Sequence, residues 1–84
     1  MRVRVLFFAS LKDDVGEDAL TLQVNESGGM DALFEALATR ISATGVAVLQ
    51  AENVRLAVNQ QLITPPLKLR ADDEVAFLPP VTGG

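Results

Sequence analysis

The side chains of this chain offer little that could do covalent chemistry. Among 84 residues there is no Cys and no His, which removes thiolate nucleophiles, disulfides, the soft metal ligands and the imidazole base that works near neutral pH. Two acidic clusters, a glycine pair and a lysine remain to be weighed. "KDDVGED" (residues 12–18) and "ADDE" (residues 71–74) bring carboxylates together, as general acid–base pairs or hard-cation sites require. Neither has the ligand spacing of a calcium loop, so both are read as solvated turn charges. No metal site is expected. Gly28 and Gly29 precede a helical pattern and could cradle an anion, but the glycine-rich phosphate fingerprints are missing, so a flexible helix entry is predicted. Lys12 is read as an exposed loop lysine able to meet an acidic partner; the plainer reading is a surface charge.

The one unusual chemical group is the α-carboxylate that follows "PPVTGG". A carboxylate is a poor electrophile until it is activated. Gly83 and Gly84 carry no side chain, so their backbone can enter a narrow channel and approach catalytic groups closely. Pro79 and Pro80 fix φ and favour an extended course. From Pro79 through Val81 and Thr82 to Gly84 the extended chain spans about 20 Å, enough to reach into another protein's active site. The plainer alternative is a terminus that gains nothing by ordering, since glycine gives up the most backbone entropy.

Such a tail needs a body to present it. Residues Arg2–Phe8 alternate, with Val3, Val5 and Phe7 on one side and Leu6 and Phe8 on the other, the period of a strand. "ALTLQV" repeats that alternation after the charged turn around Gly16, which suggests a hairpin with a long loop. From Met30 the period changes: Met30, Leu33, Phe34, Leu37, Ala38 and Ile41 follow helical spacing. Ser27 or Gly29 is the expected cap and Gly45 the expected stop. "VRLAVN" is a third strand, "NQQ" a tight turn into a short "QLI", and "TPPLKLRADD" cannot be a central strand because its prolines remove donors. "EVAFL" closes the order. One main helix on one face of a mixed sheet is the economical packing of these elements. The fold expected is therefore α+β, a β-grasp or ubiquitin-like domain over residues 1–78 with a flexible C-terminal Gly-Gly tail at 79–84.

Parity has a further consequence. If Val3, Val5, Phe7, Leu20, Leu22, Leu56, Val58, Val75 and Phe77 face the helix, then Leu6, Phe8 and Leu78 lie on the uncovered face. They should form an apolar docking patch beside the strand that runs into the tail, although scattered surface hydrophobes are common on any protein.

Composition narrows the partners. About half of the residues are apolar (49%) and the net charge is −4, with only four aromatics, all Phe, so the chain suits one small core and offers little to a phosphate backbone. No nucleic acid is expected. The opening "MRVRVLFFASLKDD" is too short in its apolar run for a membrane span and shows no small-residue cleavage site. No membrane association is expected, and a cytoplasmic location is.

"VLFFASLKDDVG", "LAVNQ" and "DEVAFLPPVTGG" together resemble the molybdopterin synthase small subunits, the sulfur carriers of molybdenum-cofactor biosynthesis. The resemblance covers nearly the whole chain and is most specific at its end. It implies a β-grasp fold and a Gly84 that an ubiquitin-activating-like adenylyltransferase adenylates with ATP, after which a sulfur donor protein converts it to a thiocarboxylate. Pro79, Pro80, Val81, Thr82 and Gly83 would then thread into the active site of a large catalytic subunit within a heterotetramer, where sulfur passes to cyclic pyranopterin monophosphate. The chain itself would bind no cofactor and would be non-catalytic alone, the sulfur-donating subunit of a sulfurtransferase. Phe8, Leu62 and Leu78 match apolar partner-binding positions of that family, and Lys12 stands where a basic residue is frequent. Two departures are visible: Leu78 replaces a common aromatic, and "ATGVAVLQAEN" matches no pattern. Alternatives of the same chemistry are a carrier for thiamine, cysteine or tRNA thiolation, or an ubiquitin-like modifier. A different class is an interaction module whose Gly-Gly end is inert.

Overall fold

The alternating segment at the start forms β1 (Arg2–Phe7), with Val3, Val5 and Phe7 buried and Arg2 and Arg4 exposed. This is the pattern of a strand with one face on a core. The structure, a computed structural model, describes residues 1–80. β2 (Ala19–Gln23) pairs antiparallel with β1, setting Leu20 and Leu22 opposite Val5 and Val3. α2 (Met30–Ala38) then brings Leu33 and Leu37, both fully buried, onto that face. β3 (Arg55–Val58) and β4 (Gln61–Ile63) form a hairpin whose two loop residues, Asn59 and Gln60, have φ of 51° and 71°. Positive φ at both loop positions matches the right-handed twist of the strands it joins. β5 (Glu74–Leu78) runs parallel to β1 and antiparallel to β3, giving the sheet order β2-β1-β5-β3-β4. The mixed sheet with its helices on one face is the expected β-grasp, ubiquitin-like fold.

Two segments differ from expectation. "SLKDDV" is not loop but a helix, α1 (Ser10–Val15), closed by Gly16 at φ 85° with its N–H on the Lys12 carbonyl. Lys12 is accordingly a helical residue, exposed, and not a loop lysine. The charged "KDDVGED" thus spans a helix and its cap. "ATGVAVL" forms α3 (Ala43–Leu49), with the Ser42 hydroxyl accepting from the Gly45 N–H at 3.1 Å. Gly45 therefore lies in the first turn of a helix instead of stopping one, and α2 ends earlier, with Thr39 as its C-cap. Of the two expected caps Gly29 is the N-cap of α2, and it supplies no side-chain bond.

The core gathers around Phe77. Its ring stacks on Phe7 at 5.9 Å between centroids and meets Phe34 edge-on at the same distance, each such pair worth about 0.5–1.5 kcal/mol beyond area burial. Leu67 and Leu69, from the proline-bearing connection before β5, are buried in the same cluster. Gly28 (φ +67°) lets that connection come close, its carbonyl accepting from the Leu69 N–H at 2.8 Å.

Candidate functional site

The outer face of the sheet can be built row by row from the register. Residues directly opposite in paired strands share a face. Leu6 stands beside Ala76, Ala76 beside Ala57, and Ala57 beside Leu62. One step toward the tail, β1 ends and Phe8 continues it, its N–H donating to the Phe77 carbonyl at 3.2 Å, while Leu78 pairs with Arg55. Phe8, Leu62 and Leu78 therefore share the helix-free face, as parity predicted for Phe8 and Leu78. One step the other way the row turns polar, with Thr21, Arg4 and Glu74.

Ala57 and Ala76 are small enough to be almost covered by their neighbours, at 6% and 9% exposure, whereas Phe8 and Leu62 stand out at 43% and 68%. Those two are the exposed large hydrophobics among the described residues. Leu6 and Leu78 are half-buried. The result is an apolar patch with two projecting side chains and a shallow alanine floor, bordered by Arg4, Glu74 and Arg55. Immediately after Phe8 the backbone breaks sharply: Ala9 has φ 51° and ψ −129°, a region L-residues rarely occupy. This turn ends β1 and directs the chain into α1, leaving Phe8 on the outer face.

Because β1 and β5 are parallel, Phe8 and Leu78 mark the same end of the sheet, and that end is where the chain leaves. Pro79 and Pro80 continue from Leu78, both half-buried. Val81, Thr82, Gly83 and Gly84 lie outside the described residues. Lys12 is not part of the sheet; it stands on α1, which packs on α3 and β1. The other clusters have structural work. Asp73 accepts from the Arg70 N–H at 2.8 Å and from Asn59 Nδ2 at 2.9 Å, and Asn59 Oδ1 accepts from the Glu74 N–H, so "ADDE" organises the turn into β5. Asp72 faces Arg2 at 3.6 Å with both side chains exposed. Gly28 faces the Leu69 backbone. Among the described residues no group of three His, Cys, Asp or Glu could hold a metal ion, and no helix is long and apolar enough to cross a membrane.

Sequence reasoning missed a second surface. Leu56 and Val58 face the helix side, paired with Phe77 and Val75, yet remain half-buried. A five-stranded sheet is about 19 Å across between its outer strands, and one helix with its side chains covers only about 10 Å. α2 therefore leaves the β3–β4 side uncovered. Between α2, α3 and that side opens a groove of about 1080 Å³ whose walls include Phe34, Leu49, Val54, Leu56, Ile63 and Pro80. Comparing sheet width with helix width would have found it.

Comparison with known proteins places this architecture. The ThiS family matches residues 5–84. The molybdopterin synthase sulfur carrier subunit of Escherichia coli K12 is 38% identical over 82 residues, covering 98% of this chain and 99% of that protein. The protein of the same name from Haemophilus influenzae is 35% identical with the same coverage. Among solved structures, a protein–protein complex of subunits 1 and 2 of molybdopterin-converting factor from Helicobacter pylori 26695 contains a chain that is 26% identical over the full length of both, with a TM-score of 0.69. The crystal structure of SAMP1 from Haloferax volcanii shares the fold at a TM-score of 0.77 and 19% identity, again over both full lengths. With a family match running from the middle of β1 to the last glycine, this chain belongs to the ThiS family.

Proposed function

We propose that this chain is the sulfur carrier subunit of molybdopterin synthase, acting in the cytoplasm and carrying sulfur on the Gly84 carbonyl carbon. The observation that carries this reading is near-complete alignment, over 98% of the chain, with the sulfur carrier subunits of Escherichia coli and Haemophilus influenzae. The carboxylate oxygen of Gly84 attacks the α-phosphate of ATP on an ubiquitin-activating-like adenylyltransferase, and pyrophosphate leaves. The acyl-adenylate then carries AMP as a good leaving group. A persulfide on a sulfur donor protein displaces it, and a thiol cleaves the acyl disulfide to give the thiocarboxylate. ATP belongs to the activating enzyme; the carrier supplies only the acyl group. In the large subunit's active site the thiocarboxylate sulfur bonds to cyclic pyranopterin monophosphate, water cleaves the acyl–sulfur bond and returns Gly84 as a carboxylate, and two such transfers build one dithiolene.

Division of labour follows from the residues. A chain without Cys or His brings no imidazole or thiol to assist the transfer, so the acid–base groups come from the partner. The Phe8, Leu62 and Leu78 patch is the docking face for the large subunit, Lys12 a flanking ionic contact, and Pro79 and Pro80, each fixed in φ, direct the chain toward the partner's site, which Val81–Gly84 would enter. Intact mass of the full chain is the test, read before and after incubation with ATP, a sulfur donor and the cognate activating enzyme. Replacement of one oxygen by sulfur, localised to Gly84 by fragmentation, is expected. An unchanged mass, while a control carrier is converted, overturns the reading. Deleting Gly84 should abolish sulfur transfer and leave docking to the large subunit intact.

A further inference from the structure

The groove on the helix side of the sheet, about 1080 Å³, is a feature that sulfur transfer does not use. Its floor is apolar, with Phe34, Leu56 and Ile63 among its walls, and its rim carries Asp31, Glu35 and Glu52, all exposed. Arg55 is the one cation among the described lining residues. The groove lies on the opposite side of the sheet from Phe8 and Leu62, and the two surfaces approach each other at the chain exit, where Arg55, paired with Leu78, and Pro80 line the groove.

We propose that this groove is a second docking site, taking an amphipathic segment of a partner protein whose apolar face is flanked by Lys or Arg. Two observations select that occupant. The floor is continuous with the core through Phe34 and Phe77, which meet edge-to-face, so an apolar insert extends packing that is already rigid, the geometry by which a helix face enters a groove. The rim has three carboxylates against one guanidinium, which favours a cationic flank and repels an acidic one. The chain's net charge of −4 adds to the same preference at longer range. Because the site lies on the other face of the sheet, its partner can be held while Phe8, Leu62 and Leu78 are engaged elsewhere. The proposal rests on the groove's own chemistry and stands whether or not Gly84 carries sulfur.

The test uses the full chain, isotopically labelled for NMR, and a short synthetic helical peptide with leucines along one face and lysines on both flanks. Saturable shifts are expected at Phe34, Leu56 and Ile63 and not at Leu62, and they should weaken as salt is raised. A peptide with glutamates in place of the lysines should bind at least about tenfold more weakly, as should the Glu35→Lys, Glu52→Lys double variant with the lysine peptide. Asp31 is left unchanged because its charge favours the first turn of α2. Leu62→Asp should leave peptide binding within about twofold, since Leu62 lies on the other face. Shifts centred on Phe8, Leu62 and Leu78, equal affinity for the glutamate peptide, or no saturable binding would each overturn the proposal.

Discussion

Strand β5 divides two kinds of surface at a spacing of one residue. On its inner side Val75 and Phe77 have no exposure, and Phe77 holds Phe7 and Phe34 around it. On its outer side Ala76 is covered only because Leu6 and Ala57 are its neighbours, and Leu78 stays half-open beside the exposed Phe8. Both sides are apolar, so hydrophobicity does not distinguish them. What differs is whether another element of the same chain closes over the face. The inner residues contribute to folding, and the outer ones leave apolar area open on the surface.

That division can be broken most directly from the inside. Phe77→Ala should cost about 3–5 kcal/mol of unfolding free energy, the range for an aromatic truncated in a packed core. A domain of this size has about 4–13 kcal/mol in all, so the variant should unfold at much lower urea. A loss below about 1 kcal/mol would mean that the inner face repacks freely, and the contrast with the outer face would fail.

Gly28→Ala comes next. A Cβ there would sit 2.5 Å from the Leu69 carbonyl oxygen, at a φ of +67° that alanine rarely adopts. The Leu69 N–H is bonded back to the Gly28 carbonyl, so the connection cannot move aside without losing that bond. A loss of about 2–3 kcal/mol in urea denaturation is expected from strain and overpacking together. It would show that the inner core extends past the strands to the connection carrying Leu67 and Leu69. A stability within about 0.5 kcal/mol of the parent would place that connection outside it.

How much of this was legible follows from how each signal is written. Strands β1, β2 and β5 and the stripe of α2 were plain because alternation and helical spacing run for several residues. Leu6, Phe8 and Leu78 of the outer patch followed from parity, and Leu62 only from the resemblance. α1 was not legible: its six residues bury only Leu11, too little for a stripe, and its charges resemble a turn. α3 was hidden by Val46, Val48 and an internal Gly45, all weak helix formers; Ser42 was the available signal, a good cap ahead of Ala43. Leu56 and Val58 were rightly assigned to the helix side, but sequence parity carries no information on how far a helix reaches. The groove exists because of that width mismatch.

The gentlest change sharpens the comparison most. Leu62 is 68% exposed at the centre of β4, an edge strand of the sheet, opposite Ala57. None of the described residues closes over it, so Leu62→Asp removes little packing and buries no charge. Its effect on unfolding should stay within about 0.5 kcal/mol, the usual range for surface substitutions. If the outer face is the docking surface, the same aspartate must be desolvated against an apolar partner, and binding to the large subunit should fall at least about tenfold. Calorimetric titration with that subunit, paired with a urea melt of the variant, separates the two effects. Unchanged affinity would remove Leu62 from the interface and confine docking to Phe8, Leu78 and the tail. A large loss of stability would instead mean that β4 depends on Leu62 for its place in the sheet, and the outer face would then share in holding the fold.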